Sequence, residues 1–203
     1  MTQNTIAKPD VDILIDAIKN RRSLGLARLK PDEVDRELIE KLLEAANWAP
    51  SHDETEPWRF TVFTGDSRSA LSDAFGEAYK LDFTGERFQE SALENYRERA
   101  WKAPVWISIG VSPTLRADGT YVISEEEEAM GVACAVQNLH LVASALGLAG
   151  MWNSKFPLMH PRVAELCGLE SPARLLGFFF LGWPNITWPK GERRPISEKV
   201  RWA

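Results

Sequence analysis

Helix-like and strand-like hydrophobic patterns alternate along the chain. A first helix is predicted from the N-cap candidate Asp10 to Arg22, because apolar residues recur there three and four positions apart. A second helix is predicted to start at the polar residues 30–32, and its apolar positions share one face. The apolar positions are Ile13, Leu14, Ala17 and Ile18 in the first helix, and Val34, Leu38, Ile39, Leu42, Leu43 and Ala46 in the second. Both patterns predict amphipathic helices.

Four shorter segments have the composition of β-strands. Residues 58–64 are rich in aromatic and β-branched residues and follow a loop bracketed by Pro50 and Pro57, which favours a strand. Residues 105–111 and 175–181 are apolar almost throughout, as is typical of strands buried on both faces, and the second is too hydrophobic to lie at an edge. A short strand is predicted over 149–152.

The longest helix is predicted to run from a capping box formed by Ser124 and Glu127 to about Leu146. Residues 129–154 contain no charged side chain and are long enough to span a bilayer, but breaks at Gly147 and Gly150 favour a buried helix in a soluble core. Further helices are predicted over 67–79, 86–102 and 161–167. The interleaved elements predict an α+β fold or a mixed α/β sandwich in a single domain, residues 1–203, with 184–203 as an extended C-terminal arm.

Composition limits the classes of partner and the cellular compartments that fit this sequence. The 203 residues include 24 Lys and Arg against 29 Asp and Glu, a net charge of −5, whereas nucleic-acid binders normally carry a basic face. The two cysteines form no disulfide framework, and residues 1–12 lack the pattern of a signal peptide. We therefore expect a cytoplasmic protein with small-molecule partners, without nucleic acid or membrane.

Several common chemistries lack their motifs in this sequence. No Gly-x-Gly pair, Walker A loop or Gly-x-Ser-x-Gly elbow occurs, and the three histidines form no His-Glu-x-x-His motif. These absences argue against a Rossmann nucleotide site, a P-loop, a serine hydrolase and a helical zinc site, so no metal is predicted. Cys134 is expected to be a small core residue, and the glutamates of 125–128 to cap their helix.

The sequence Arg21-Arg22-Ser23, at the end of the first helix, has two interpretations. Cations at a helix C-terminus complement the helix dipole, and the serine would then begin a turn. Alternatively, two guanidinium groups and a hydroxyl form an anion site that offers bidentate donors to a phosphate or to ring carbonyls. The residues alone leave both interpretations open.

Five motifs in the same order resemble the nitroreductase family of FMN-dependent oxidoreductases. They are Arg21-Arg22-Ser23, the loop from Ala49-Pro50-Ser51 to Pro57-Trp58, Ala103-Pro104-Val105, Gly150-Met151-Trp152-Asn153-Ser154 and Leu181-Gly182-Trp183-Pro184. The fourth resembles the Gly-x-Trp-Arg-Ser segment of the short YdjA-like subgroup. The resemblance runs from about Ile13 to Val200 and covers nearly the whole chain.

The resemblance implies a homodimeric α/β/α sandwich with a mixed, mainly antiparallel central sheet and one FMN at each end of the dimer interface. It also implies a ping-pong NAD(P)H oxidoreductase that passes hydride through FMN to a small electrophile such as a nitroaromatic or a quinone. No catalytic side chain is implied, since the flavin N5 carries the hydride. The alternative is a flavin-binding or sensor protein on the same scaffold without turnover.

The resemblance assigns FMN contacts to ten residues. Arg21, Arg22 and Ser23 would hold the phosphate and part of the flavin edge, with Arg193 or Arg194 as a late phosphate ligand. The isoalloxazine and ribityl region would be lined by Trp152, Asn153 and Ser154. The FMN of the partner subunit would be reached by Trp48 and His52.

Four positions depart from the family pattern. Glu54 and Glu56 stand where many nitroreductases have Asn and Gln, so that donors become acceptors. Asn153 and Trp48 each stand where the subgroup usually has an arginine. Losing a cation near the flavin lowers its redox potential unless another residue compensates. Glu54, Glu56 and Asn153 are the features that favour the sensor alternative.

Overall fold

Regular structure forms close to the predicted segments in the computed structural model, which describes residues 10–203. The predictions for residues 1–9, the missing signal peptide and the start of the domain, lie outside the described residues. The helices are α1 (Val11–Asn20), α2 (Arg36–Asn47), α3 (Arg68–Asp82), α4 (Glu90–Arg99), α5 (Glu125–Ala145) and α6 (Pro161–Leu166). The strands are β1 (Trp58–Arg59), β2 (Val62–Thr64), β3 (Val105–Val111), β4 (Ala149–Asn153) and β5 (Arg174–Gly182).

The most apolar strands lie inside the sheet, as predicted. The strand order is β1-β3-β5-β4, and β2 also pairs with β3. All of these pairs are antiparallel. One isolated parallel bridge joins Ser23 to Gly150, so the mixed, mainly antiparallel sheet is confirmed.

Alternate side chains of β3 and β5 build two cores, one on each face of the sheet. Trp106, Phe178 and Phe180 pack into the core beneath α3 and α6. Ile107 and Phe179 pack with α2 and α5 on the opposite face. The resulting helix–sheet–helix layering confirms the α+β sandwich.

The start of the second helix and the continuity of the strand predicted over 58–64 differ from the prediction because tertiary contacts override the local pattern. The second helix starts at Arg36 and not at 30–32, because the Lys30 N–H donates to the Trp183 carbonyl at 2.7 Å and holds the chain extended. The strand predicted over 58–64 is divided into β1 and β2. Between them, the Thr61 N–H donates at 2.7 Å to the Ser108 hydroxyl and not to a backbone carbonyl.

Helix α1 has an apolar face that is not buried within the chain. Its N-cap at Asp10 is confirmed, and the carboxylate accepts from the Asp12 N–H at 2.9 Å. No α1 residue is buried, and the exposed apolar side chains are Val11, Ile13, Leu14, Ile15 and Ile18.

Cys134 on α5 is also exposed, so the prediction of a core cysteine was wrong. Within residues 10–203, no helix is both long and apolar enough to cross a membrane.

Candidate functional site

The end of α1 is docked against the edge strand β4. Arg21 leaves the helix with extended torsion angles (φ −61°, ψ 132°). The following residues run beside β4, where the Leu24 N–H donates to the Gly150 carbonyl at 3.1 Å. Position 150 requires glycine, because a Cβ there would overlap the Phe180 carbonyl oxygen. This docking joins the Arg21-Arg22-Ser23 turn to the Gly150–Ser154 segment.

Arg22 connects α1 to the C-terminal arm. Its Nε donates to the Pro189 carbonyl at 2.7 Å, and its Nη1 donates to the Lys19 carbonyl at 2.6 Å. Gly191 packs so closely on the guanidinium that a Cβ at that position would overlap it. Trp188 adds a 2.6 Å hydrogen bond from its ring N–H to the Asn20 carbonyl. The arm is therefore held on the end of α1.

A cationic cavity of about 690 Å³ lies where the arm meets α1 and α5. The cations in its lining are Lys19, Arg21, Arg22, Lys190 and Arg193, and the lining residues include no carboxylate. Burial, together with the charges of Arg193 and Arg22, lowers the pKa of Arg21. Several guanidinium groups without a counter-charge favour binding of an anion, and phosphate matches their fork geometry.

His140 of α5 orients the arginine turn. Its Nε2 lies 2.9 Å from the Arg22 carbonyl and its Nδ1 lies 3.3 Å from Nη1 of Arg21. These partners assign the proton to Nε2, so that Nδ1 accepts from Arg21. The ring is buried against Phe179, with centroids 4.9 Å apart. The pKa of His140 is lowered to about 4, chiefly by burial; the hydrogen bond to the Arg22 carbonyl opposes this shift, and the charge of Arg21 contributes to it.

A second cavity, of about 410 Å³, lies beside the end of β4. It is lined by Ala129, Trp152, Ser154, Met159 and Leu176. The Trp152 ring N–H donates to the Leu176 carbonyl at 3.0 Å, which fixes the indole plane. Ala129 of this cavity and Gln137 of the cationic cavity both belong to α5, where eight residues rise about 12 Å. Such a separation suits an elongated ligand with an anionic end and an apolar ring.

The ten residues predicted to bind FMN fall into three groups. Arg21, Arg22 and Arg193 line the cationic cavity, and the Ser23 hydroxyl accepts from Arg21 at 3.2 Å. Trp152 and Ser154 line the second cavity. Their neighbour Asn153 accepts a hydrogen bond from the Lys155 N–H through its side-chain Oδ1 at 2.9 Å.

The third group lines neither cavity. Trp48 is 78% exposed at the end of α2 and donates to Glu44. The exposed His52 lies 3.3 Å from Glu127. Arg194 is exposed on the arm, 4.0 Å from Glu198. Within one chain, these three side chains remain separate from the cationic cavity.

Glu128 and its contacts were not foreseen from the sequence. The residue is 2% exposed, and its carboxylate accepts from the Thr55 hydroxyl at 2.6 Å and the Thr114 N–H at 3.3 Å. Ser124 caps α5 as predicted, but Glu128 fastens the 51–57 loop to the helix. Asp53, Glu54 and Glu56 of that loop have φ values of 49°, 55° and 44°, which cost non-glycine residues about 1 kcal/mol or more each. The carboxylate thus helps to hold a strained loop.

A family model and a bacterial relative both match most of this chain. The nitroreductase family model matches residues 18–183. A protein of Escherichia coli strain K12 with the provisional name NAD(P)H nitroreductase YdjA is 26% identical over 172 residues, covering 85% of this chain and 88% of its own. That similarity confirms the resemblance to the YdjA-like subgroup.

Two solved structures share the fold over nearly their full lengths. A nitroreductase-like family protein from Bacillus cereus superposes with a TM-score of 0.78 at 26% identity, covering 97% of this chain and 99% of its own. The FMN-dependent nitroreductase NfnB from Mycobacterium smegmatis, solved with NADPH, gives a TM-score of 0.71 at 23% identity and coverages of 96% and 100%.

Proposed function

Because the chain belongs to the nitroreductase family, we propose that it is an FMN-dependent oxidoreductase that uses NAD(P)H to reduce a small electrophile such as a nitroaromatic or a quinone. The observation that carries this proposal is the set of arginines without a counter-charge in the cationic cavity, beside the strand that bears Trp152. The cavity fits the phosphate of FMN, and the apolar second cavity fits its ring system. Bound FMN would supply the hydride-carrying N5.

The contacts of each arginine suggest different roles at the phosphate. Arg22 already donates to three backbone carbonyls, those of Lys19, Arg21 and Pro189, so we assign it mainly to holding the C-terminal arm in place. Arg21 and Arg193 make no ion pair among the described residues, and we assign them as the principal phosphate ligands. His140 is assigned as a positioning residue, because it accepts from Arg21 and holds the Arg22 backbone.

The segment that would face the flavin ring carries no positive charge. Asn153 stands where the subgroup usually has an arginine, and its side-chain oxygen closes a local turn with Lys155. Without a cation from this segment, the reduced flavin is less stabilised. We therefore expect a flavin potential below that of a variant carrying Asn153→Arg, measured by spectroelectrochemistry.

An absorption spectrum tests the cofactor directly. The protein is purified and dialysed, incubated with FMN, and desalted, and about one flavin per chain is expected to remain. NADH and NADPH oxidation with nitrobenzene is then compared with a free-FMN blank of equal concentration. Retained flavin without oxidation above the blank would favour the sensor alternative, and no retained flavin would contradict the cofactor assignment.

We propose a homodimer with the apolar face of α1 in the interface. The exposed apolar side chains of α1 make the face too hydrophobic for a solvated helix end. Trp48 and His52, which line neither cavity of their own chain, would then contact the flavin of the partner.

We also propose one domain over 1–203 with the arm 184–203. The cytoplasmic location stays a prediction from the sequence.

Replacing Ile13 by glutamate is expected to raise the dimer dissociation constant at least about 100-fold. Ile13 is 70% exposed in the single chain. A twofold interface contains this residue once from each subunit, so the substitution removes apolar contact area and introduces a charge at two places. The expected loss of dimerisation free energy is roughly 3 kcal/mol or more. Sedimentation velocity over a concentration series measures the change.

Leu81→Glu is the matched control for this interface. Leu81 is a similarly exposed aliphatic residue at 64%, but it lies near the end of α3 on the opposite face of the sheet. Its substitution is expected to leave the dissociation constant within about twofold. Equal effects of the two substitutions would exclude α1 as the dimer interface.

A further inference from the structure

A third cavity, of about 750 Å³, lies between the turn at Leu26–Arg28 and the C-terminal end of α4. None of the ten residues predicted to bind FMN lines it. Its apolar lining consists of Leu26, Ala27, Leu29, Pro31 and Trp101. Arg68 lies over the Trp101 ring at 4.9 Å from the centroid, which holds the indole in place. The volume is in the range of sites for small organic ligands.

The polar part of this cavity is cationic. Arg99 and Lys102 line it together with Asn95 and Tyr96, and the lining residues include no carboxylate. The Arg99 Nε is buried and has no hydrogen-bond partner among the residues that the structure describes. Arg99 also forms no ion pair within residues 10–203. Burial lowers its pKa, as expected for a guanidinium without a counter-charge.

Arg99 is half-buried, and its Nε is shielded from solvent without a hydrogen-bond partner among the described residues. A bound anion would compensate for this loss of solvation. A small hydrophilic anion is a poor match for this cavity, because it would leave the apolar wall beside Arg99 exposed to water. The arrangement matches a ligand that combines one negative charge with an apolar body. Carboxylate geometry also matches the guanidinium fork.

We propose that this cavity binds a small amphiphilic carboxylate. The carboxylate accepts hydrogen bonds from Arg99 and is further attracted by Lys102, while the apolar body packs against Leu26, Leu29 and Trp101. The site is separate from the proposed flavin site and does not depend on it. Leu26 follows Ser23 by three residues, so the ligand contacts the segment that leaves the arginine turn.

Isothermal titration of octanoate into the full chain, with excess FMN present, tests the site. We expect one octanoate per chain, and binding at least tenfold weaker for octylamine, which has the same chain length and the opposite charge. Arg99→Gln is expected to weaken octanoate binding about tenfold, because it removes a charge-assisted hydrogen bond. The flavin absorption band is expected to stay unchanged, since octanoate at the flavin site would perturb it.

Arg97→Gln is the matched control. Arg97 belongs to the same helix, and its Nε is also buried without a partner. However, this side chain packs near Gly76 and does not line the cavity. Its substitution is expected to leave octanoate affinity within twofold.

Lys102→Gln provides an independent variant, because this exposed residue can be changed without disturbing the core. We expect it to weaken octanoate binding about threefold, even if Arg99→Gln fails to fold. The proposal is overturned if octanoate gives no binding heat, if octylamine binds equally well, or if Arg97→Gln and Arg99→Gln have the same effect.

Discussion

Arg21→Ala is expected to weaken FMN binding about 100-fold. Arg21 lines the cationic cavity, and its Nη1 is held by His140 and Ser23. A charge-assisted hydrogen bond contributes about 1.5–3 kcal/mol, and removing the guanidinium also reduces the positive potential of the cavity. A loss of about 3 kcal/mol corresponds to roughly 100-fold in the dissociation constant. Quenching of flavin fluorescence on titration with protein measures this constant.

Two further variants separate the effect of the positive charge of Arg21 from the effect of its planar guanidinium geometry. Arg21→Lys retains the positive charge but loses the planar fork, and a loss of about tenfold is expected. Arg194→Ala removes the same charge from the exposed arm, where Arg194 faces Glu198, and is expected to change the affinity less than twofold. Unchanged affinity in Arg21→Ala would remove Arg21 from the phosphate site and leave Arg193 as the remaining candidate.

Arg21 and Arg22 make different contacts, and each set of contacts matches one of the two interpretations of Arg21-Arg22-Ser23. Arg22 donates to the Lys19 carbonyl in the last turn of α1, as expected for a cation that caps a helix. Arg21 points into the cationic cavity, as expected for an anion ligand. Sequence spacing could not divide these roles, because the direction of each guanidinium depends on the docking of α1 against β4 and the arm.

Prediction succeeded where local composition determines the structure. β5 is apolar over almost its whole length, and such a strand is stable only in the interior of a sheet. The start of α2 was missed because Lys30 is bonded to Trp183, 153 residues further along the chain. Long-range contacts of this kind leave no periodic signal in the sequence.

The supporting residues of the site were missed for the same reason. His140 meets Arg21 across 119 residues, and Glu128 meets Thr55 across 73. The one available signal for His140 was its position in a long helix segment without charged residues, where a histidine needs hydrogen-bond partners if it is buried. Glu128 had no distinguishing signal, since it follows three other glutamates at a helix N-terminus.

The neutral state of His140 gives the protein a specific sensitivity to acid. Its pKa is about 4 in the folded chain, against an ordinary value of 6.5. Between these two values the unfolded chain takes up a proton that the folded chain does not, so the free energy of unfolding decreases as the pH falls from 6.5 towards 4. The contribution is fully present above pH 6.5 and falls by roughly 3 kcal/mol in total.

His140→Gln is expected to remove this part of the pH dependence, because glutamine does not titrate but can still accept from Arg21 and donate to the Arg22 carbonyl. Urea unfolding without FMN at pH 7.5, 5.5 and 4.5 gives the free energies. Relative to pH 7.5, the difference in unfolding free energy between wild type and variant is expected to shift by roughly 1 kcal/mol at pH 5.5 and by roughly 2–3 kcal/mol at pH 4.5. His52→Gln, at an exposed histidine, is the control for the general effect of replacing a histidine by glutamine. A difference between wild type and His140→Gln that stays constant with pH would show that His140 titrates normally in the folded chain.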